Sequence, residues 1–152
     1  GIITQSFFAE SFPIWQAEQV FPSWIPSLDP SSNDILGTEL ADLYVGIADA
    51  NPGHKMSQYN TLLDRTQVYY YEVMGGGDAA EWSALMLDSI SQIESRAENF
   101  CSYLAGGEQG CIVTRNSFFT RESDGVLLVD WLGELLNGED STSVRCDDCG
   151  SD

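Results

Sequence analysis

Strand-forming sequence is scarce in this chain, and that scarcity limits its possible folds more than any other feature. Residues 55–63, with Met56, Tyr59, Leu62 and Leu63, and the run from Phe100 to Ala105 read as strands. Cys111 to Thr114 is apolar but very short. Residues 67–73, with Val68, three consecutive tyrosines and Val73, suit a strand or the start of a helix equally well. Helical patterns are more plentiful. Leu36, Leu40, Leu43, Tyr44 and Ile47 share one face over 35–50, and Asn51-Pro52-Gly53 stops the pattern. After the break at Gly75-Gly76-Gly77, Asp78 with Glu81 opens a helix predicted to reach about Glu98, with Leu85, Met86, Ile90, Ile93 and Ala97 on its apolar face. A further helix is predicted over 125–137, where Val126, Val129, Leu132 and Leu136 align and Gly138 ends it. The fold class is therefore α/β, with few strands flanked by several helices. That sheet is thin for so much apolar helical surface.

The first 34 residues read differently. Phe7, Phe8, Phe12, Trp15, Val20, Phe21 and Trp24 are too aromatic to be solvated, while Pro13, Pro22, Pro26 and Pro30 break up any long helix. Residues 1–34 are thus expected to be an irregular, aromatic- and proline-rich covering segment of short helices. With 43% hydrophobic residues in 152, the whole chain (1–152) suits a single packed unit. No internal repeat interrupts it.

Charge excludes several partners. Twenty-four acids face six basic residues, a formal net charge of −18. Such a surface repels a nucleic-acid backbone and does not dock electrostatically on anionic lipid. No apolar run is long enough to span a membrane. Only 20% of residues are charged and 11% are aromatic, which separates the chain from a disordered acidic tail. The chain begins Gly1-Ile2-Ile3-Thr4, which reads like the inside of a domain, so either a processed product or a portion of something longer is expected.

Chemistry is limited by a single histidine, His54. One histidine excludes sites that need two or three, and any nucleophile–histidine machine within this chain would have to run through it. The four cysteines, Cys101, Cys111, Cys146 and Cys149, are even in number and compatible with two disulfides in an oxidising compartment. Nearest-neighbour pairing, Cys101 with Cys111 and Cys146 with Cys149, is the preferred one of three connectivities. A zinc site is disfavoured by the unequal spacings, and a redox Cys-x-x-Cys by Asp147 and Asp148, whose charge raises a thiol pKa. There is no Gly-x-Ser-x-Gly elbow, phosphate loop or calcium loop, so no cofactor is implied.

One ordered series of segments stands out. Tyr59-Asn60-Thr61-Leu62-Leu63-Asp64-Arg65-Thr66-Gln67 is followed by Cys101-Ser102-Tyr103-Leu104-Ala105-Gly106-Gly107-Glu108-Gln109-Gly110-Cys111-Ile112. Then come Phe118-Phe119-Thr120, Gly125-Val126-Leu127-Leu128-Val129-Asp130-Trp131-Leu132 and Cys146-Asp147-Asp148-Cys149. Their order and spacing resemble the C-terminal half of pectin-acetylesterase-like serine hydrolases, a group of secreted α/β-hydrolases. The resemblance covers roughly residues 35–149. It implies the C-terminal portion of an α/β-hydrolase-like fold, a carboxylic-ester hydrolase chemistry, and an extracellular or periplasmic location.

The resemblance also implies roles. The family's triad runs in the order Ser, Asp, His. Asp64, at the end of a strand-like segment, matches the acid that orients the histidine and stabilises its protonated form. Read without the resemblance, Asp64 caps the following segment or pairs with Arg65. The histidine position, in a Gly-x-x-His-Cys pattern, is matched by Gly107-Glu108-Gln109-Gly110-Cys111, so Gly110 stands where the base would be. Glycine accepts no proton. His54 precedes Asp64 and matches no catalytic position. The nucleophile elbow would lie upstream of Gly1, either on a second polypeptide supplying the N-terminal half or lost altogether. The other reading is a non-catalytic extracellular binding or assembly protein on the same fold, whose exposed sheet edge self-association would cover.

Overall fold

A computed structural model describes residues 1–139 and 141–146 of the chain. It is a mixed helix-and-strand protein. Helix α1 (Gln5–Trp15) is capped by Thr4, whose hydroxyl accepts from Phe7 N and also donates to Met74 O at 2.7 Å. Pro13 lies within this helix, so the prolines break the segment less than their number suggested. Short 3-10 turns at Ala17–Val20 and Pro26–Leu28 follow. Phe8, Ile25 and Leu28 are buried, whereas Ile14, Trp15, Val20 and Trp24 stay exposed. The segment therefore covers the core with one side and offers aromatic surface with the other.

The pattern over 35–50 resolves into a 3-10 turn, Ile35–Gly37, and helix α2 (Leu40–Ala50). The helix starts late because Glu39 and Asp42 form a reciprocal capping box there. Ala41, Val45 and Ala48 line its buried side, and Ile47, expected on that face, is exposed. Strand β1 (Met56–Thr61) leads into helix α3 (Arg65–Val73), which settles the ambiguous tyrosine run as helix. Helix α4 (Ala79–Arg96) begins at the Asp78 cap and buries Trp82, Met86, Ile90 and Ile93. Leu85, predicted on the apolar face, is exposed, and Trp82 holds the place one turn earlier on the buried stripe.

Strand β2 (Phe100–Ala105) pairs with β1 in parallel, Met56 opposite Phe100 and Thr61 opposite Ala105. Residues 142–144 run along the other side of β2, with a parallel bridge between Tyr103 and Val144. Every residue of β2 is buried, because both faces of the sheet are covered. Phe100 and Leu104 join α2, α3 and α4 in one core, while Cys101, Tyr103 and Ala105 join Ile112, Leu128 and Trp131 in a second on the opposite face. The period-two alternation of one strand thus feeds two cores. Tyr103 is fully buried, its hydroxyl donating to Val126 O at 2.6 Å, and burial pushes its pKa up to about 12.

A small antiparallel hairpin, β3 (Glu122–Ser123) and β4 (Val126–Leu127), stands where the last helix was expected to begin. Asp124 (φ 50°) and Gly125 (φ 74°) form its two-residue turn, the left-handed geometry that Asp-Gly adopts readily. Helix α5 (Leu128–Leu136) therefore starts later than predicted. Its buried residues are Leu128 and Trp131, and Leu136 is 80% exposed rather than in the core.

The cysteine pairing also needs correction. Cys101 and Cys111 are both free, the first buried and the second exposed. Cys101 enters β2 near its start, and Cys111 lies beyond its other end. Strand residues advance about 3.3 Å each, so the separation exceeds the roughly 4–7 Å between Cα atoms that a disulfide allows. Of the second expected pair, Cys146 is not among the free cysteines, and Cys149 lies outside the described residues with Asp147 and Asp148.

Candidate functional site

Asp64 and Gly110, two of the residues singled out from the sequence, converge at the C-terminal ends of the two parallel strands. Beyond β1, Leu62 N donates to Ala105 O, Leu63 N to Gly107 O at 3.1 Å and Arg65 N to Glu108 O at 3.0 Å. The two chain segments therefore leave the sheet side by side. Gly107 takes φ 86°, a turn that a side chain would resist, and brings residues 108–110 back towards Asp64. Tyr59 Oη donates to Gln109 O at 3.4 Å, and Ser117 Oγ to Gln109 Oε1 at 2.8 Å. The loop is held from several sides.

Asp64 is 3% exposed. Its Oδ1 accepts from Thr66 N at 3.0 Å and Gln67 N at 3.1 Å, and its Oδ2 accepts from Gln67 Nε2 at 3.0 Å. This is an N-cap of α3 reinforced by a side chain three residues on. The pattern Asp64-x-x-Gln67 resembles a capping box and was legible in the sequence. Arg65, the other partner weighed for Asp64, instead pairs with Glu108 across the two segments.

Gly110 abuts the same carboxylate. A methyl group placed on its Cα would lie 1.9 Å from Asp64 Oδ2 and 2.7 Å from Cγ. The two positions that the resemblance pairs as acid and base thus meet, although far apart in sequence. No imidazole joins them. His54 is exposed and precedes β1, at the opposite end of the strand. Six strand residues, about 20 Å, separate it from the Asp64 corner.

Beside this corner a cleft of about 350 Å³ is lined by Arg65, Thr66, Glu108, Gln109, Gly110, Cys111 and Arg115. Cys111 presents its free thiol there. Burial pushes up the pKa of the other free thiol, Cys101, which does not line this cleft. Just before the corner, Asn60 Nδ2 and Thr61 Oγ1 are buried without a hydrogen-bond partner among the described residues. Among those residues no three His, Cys, Asp or Glu side chains gather to hold a metal ion.

Sequence reasoning missed the Gln67 amide and the Arg65–Glu108 pair. Gln67 was signalled by its spacing from Asp64; Glu108 carried no signal, because only folding brings residues 65 and 108 together. As it stands the corner holds an acceptor already engaged by three donors, and no histidine is among the residues that line the cleft beside it. Comparison of the chain with protein-family models, curated proteins and solved structures found no match.

Proposed function

We propose that this chain is a portion of a secreted carboxylic-ester hydrolase of the serine type, silent on its own, whose nucleophile lies outside it and whose base position is Gly110. One observation carries the reading: the Asp64 carboxylate and Gly110 lie in contact at the C-terminal ends of parallel strands, where open α/β sheets bind their ligands. A matched acid and base must meet in space, and these two positions do. The loss of a triad base leaves only what an oxyanion hole and substrate binding supply. On this reading the chain alone turns over no ester.

The sheet supports a partner that supplies the missing half. Met56 N and Leu62 N donate towards β2, so the peptide groups of Ser57, Tyr59 and Thr61 point to the outer edge of β1. No described strand pairs with that edge. A second polypeptide is the occupant proposed here. Among the described residues no helix is long and apolar enough to cross a membrane. The extracellular or periplasmic location rests on the acidic surface and the resemblance, since Cys101 and Cys111 lend it nothing.

A second reading is favoured by the exposed Ile14, Trp15, Val20 and Trp24. It makes the chain a non-catalytic extracellular binding or assembly protein, with this aromatic surface meeting a neighbour. Intact mass of native material and hydrolysis of a short acyl ester separate the two. A companion polypeptide carrying Gly-x-Ser-x-Gly, whose mixture with Gly110→His hydrolyses the ester, supports the hydrolase reading. Hydrolysis by the unmodified chain alone overturns the silent assignment. A self-associated chain with no companion, inert with or without Gly110→His, leaves the second reading standing.

A further inference from the structure

Gly110 does not need to be glycine for conformational reasons, because its backbone lies outside the left-handed region that favours this residue. The demand is steric. A Cβ there would sit 1.9 Å from Oδ2, 2.7 Å from Cγ and 3.0 Å from Oδ1 of Asp64. Non-bonded heavy atoms settle at about 3.5 Å or more, so one side must yield. The loop is pinned through its backbone: Leu63 N and Arg65 N donate to the carbonyls of Gly107 and Glu108, and Tyr59 Oη to that of Gln109. Asp64 presents only a side chain, which leaves by rotating about χ1. It cannot do so and keep its bonds to Thr66 N, Gln67 N and Gln67 Nε2.

We propose that glycine at 110 is the lock that keeps this corner in its capping state: any side chain at 110 drives the Asp64 carboxylate off the start of α3. The carboxylate serves either as a helix cap or as the partner of a residue at 110, and one use excludes the other. The packing exclusion stands on these distances alone; its consequence for ester hydrolysis rests on the hydrolase reading above. Under that reading, loss of the base and capture of its acid by the helix are one event. Reinstating histidine at 110 then requires Asp64 to give up the cap.

Amide hydrogen exchange on Gly110→Ala and Gly110→His, in the chain alone, tests this. The amides of Thr66 and Gln67 should exchange faster by about tenfold than in the parent chain, while the amides of Leu63 and Arg65 keep their protection. Thermal unfolding supplies the second arm. Gly110→Ala should lower Tm by about 5 °C, and should lower it no further when introduced into Asp64→Ala, where the obstructing carboxylate is gone. Undiminished protection at Thr66 and Gln67, or an equal loss of Tm in both backgrounds, overturns the lock. If Asp64→Ala does not fold, the exchange measurement decides alone. Turnover by Gly110→His with its companion while the cap amides stay protected breaks the lock but spares the hydrolase reading. Exposed cap amides with no turnover do the reverse.

Discussion

Two carboxylates, Asp64 and Glu94, are withdrawn from solvent near opposite ends of the β1–β2 pair, and they do opposite kinds of work. Asp64 takes all its hydrogen bonds from the next three residues of its own chain segment. Glu94, on α4, takes its bonds from far away. Its Oε1 accepts from Ser102 Oγ at 2.6 Å and Ser143 Oγ at 2.5 Å, and its Oε2 pairs with Arg145. Those partners hold residues 143–145 against β2, where Leu104 N donates to Val144 O and Val144 N to Ser102 O, both at 2.8 Å. Asp64 shapes one helix start, whereas Glu94 ties a helix, a strand and the following tail into one body. A carboxylate's location in the fold therefore says little about its role until the sequence distance to its donors is known.

The comparison breaks most visibly if each acid is removed in turn. Glu94→Ala strands two hydroxyls and a guanidinium, and should lower stability by about 3 kcal/mol. Urea unfolding would measure the loss, and hydrogen exchange should show the Val144 amide released. Asp64→Ala should cost about 1–2 kcal/mol, as expected for an N-cap, and should expose the Thr66 and Gln67 amides while Val144 stays protected. Equal losses with the same exchange pattern would erase the distinction between cap and clasp.

Acid sharpens it further. Burial pushes the Glu94 pKa up, but the hydroxyls of Ser102 and Ser143 and the Arg145 guanidinium outweigh it and hold the carboxyl below its usual range. A group whose folded pKa is depressed contributes stability that is complete above the unfolded value, about 4.3 for glutamate. That contribution disappears as pH falls through the lower folded value. Stability should accordingly decline with acid below about pH 5, and Glu94→Gln, which does not titrate, should flatten that part of the profile. A profile unchanged by the substitution would remove Glu94 from the acid response. The smallest effect belongs to the Arg65–Glu108 pair, with side chains 82% and 45% exposed. Arg65→Ala should cost under about 0.5 kcal/mol in urea unfolding, and a larger loss would show that the pair, rather than the backbone bonds beneath it, fixes the 108–110 loop.

Much of the fold was readable because its signals are local. Asp78 and Glu81 marked the start of α4, the apolar run Phe100–Ala105 marked a strand, and a cap on the following segment was one of the two local readings of Asp64. The errors share a cause. Leu85 and Leu136 fit a helical stripe on spacing alone, but Trp82 and Trp131 set the buried direction through what they pack against. The Asp124-Gly125 turn was present as a hairpin signal and lost to the helical pattern that follows it. Cys101 and Cys111 were paired by proximity in sequence, although an extended strand carries neighbours apart.

By itself the sequence determined the mixed helix-and-strand character and the two paired strands, because periodicity and capping depend on neighbours a few positions away. Only the tertiary structure decided that Asp64 and Gly110 touch, that Arg65 reaches Glu108 instead of Asp64, and that Glu94 holds the tail. Each of these joins residues distant along the chain, and the parallel pairing of β1 with β2, with the helices packed across it, is what brings them within bonding distance.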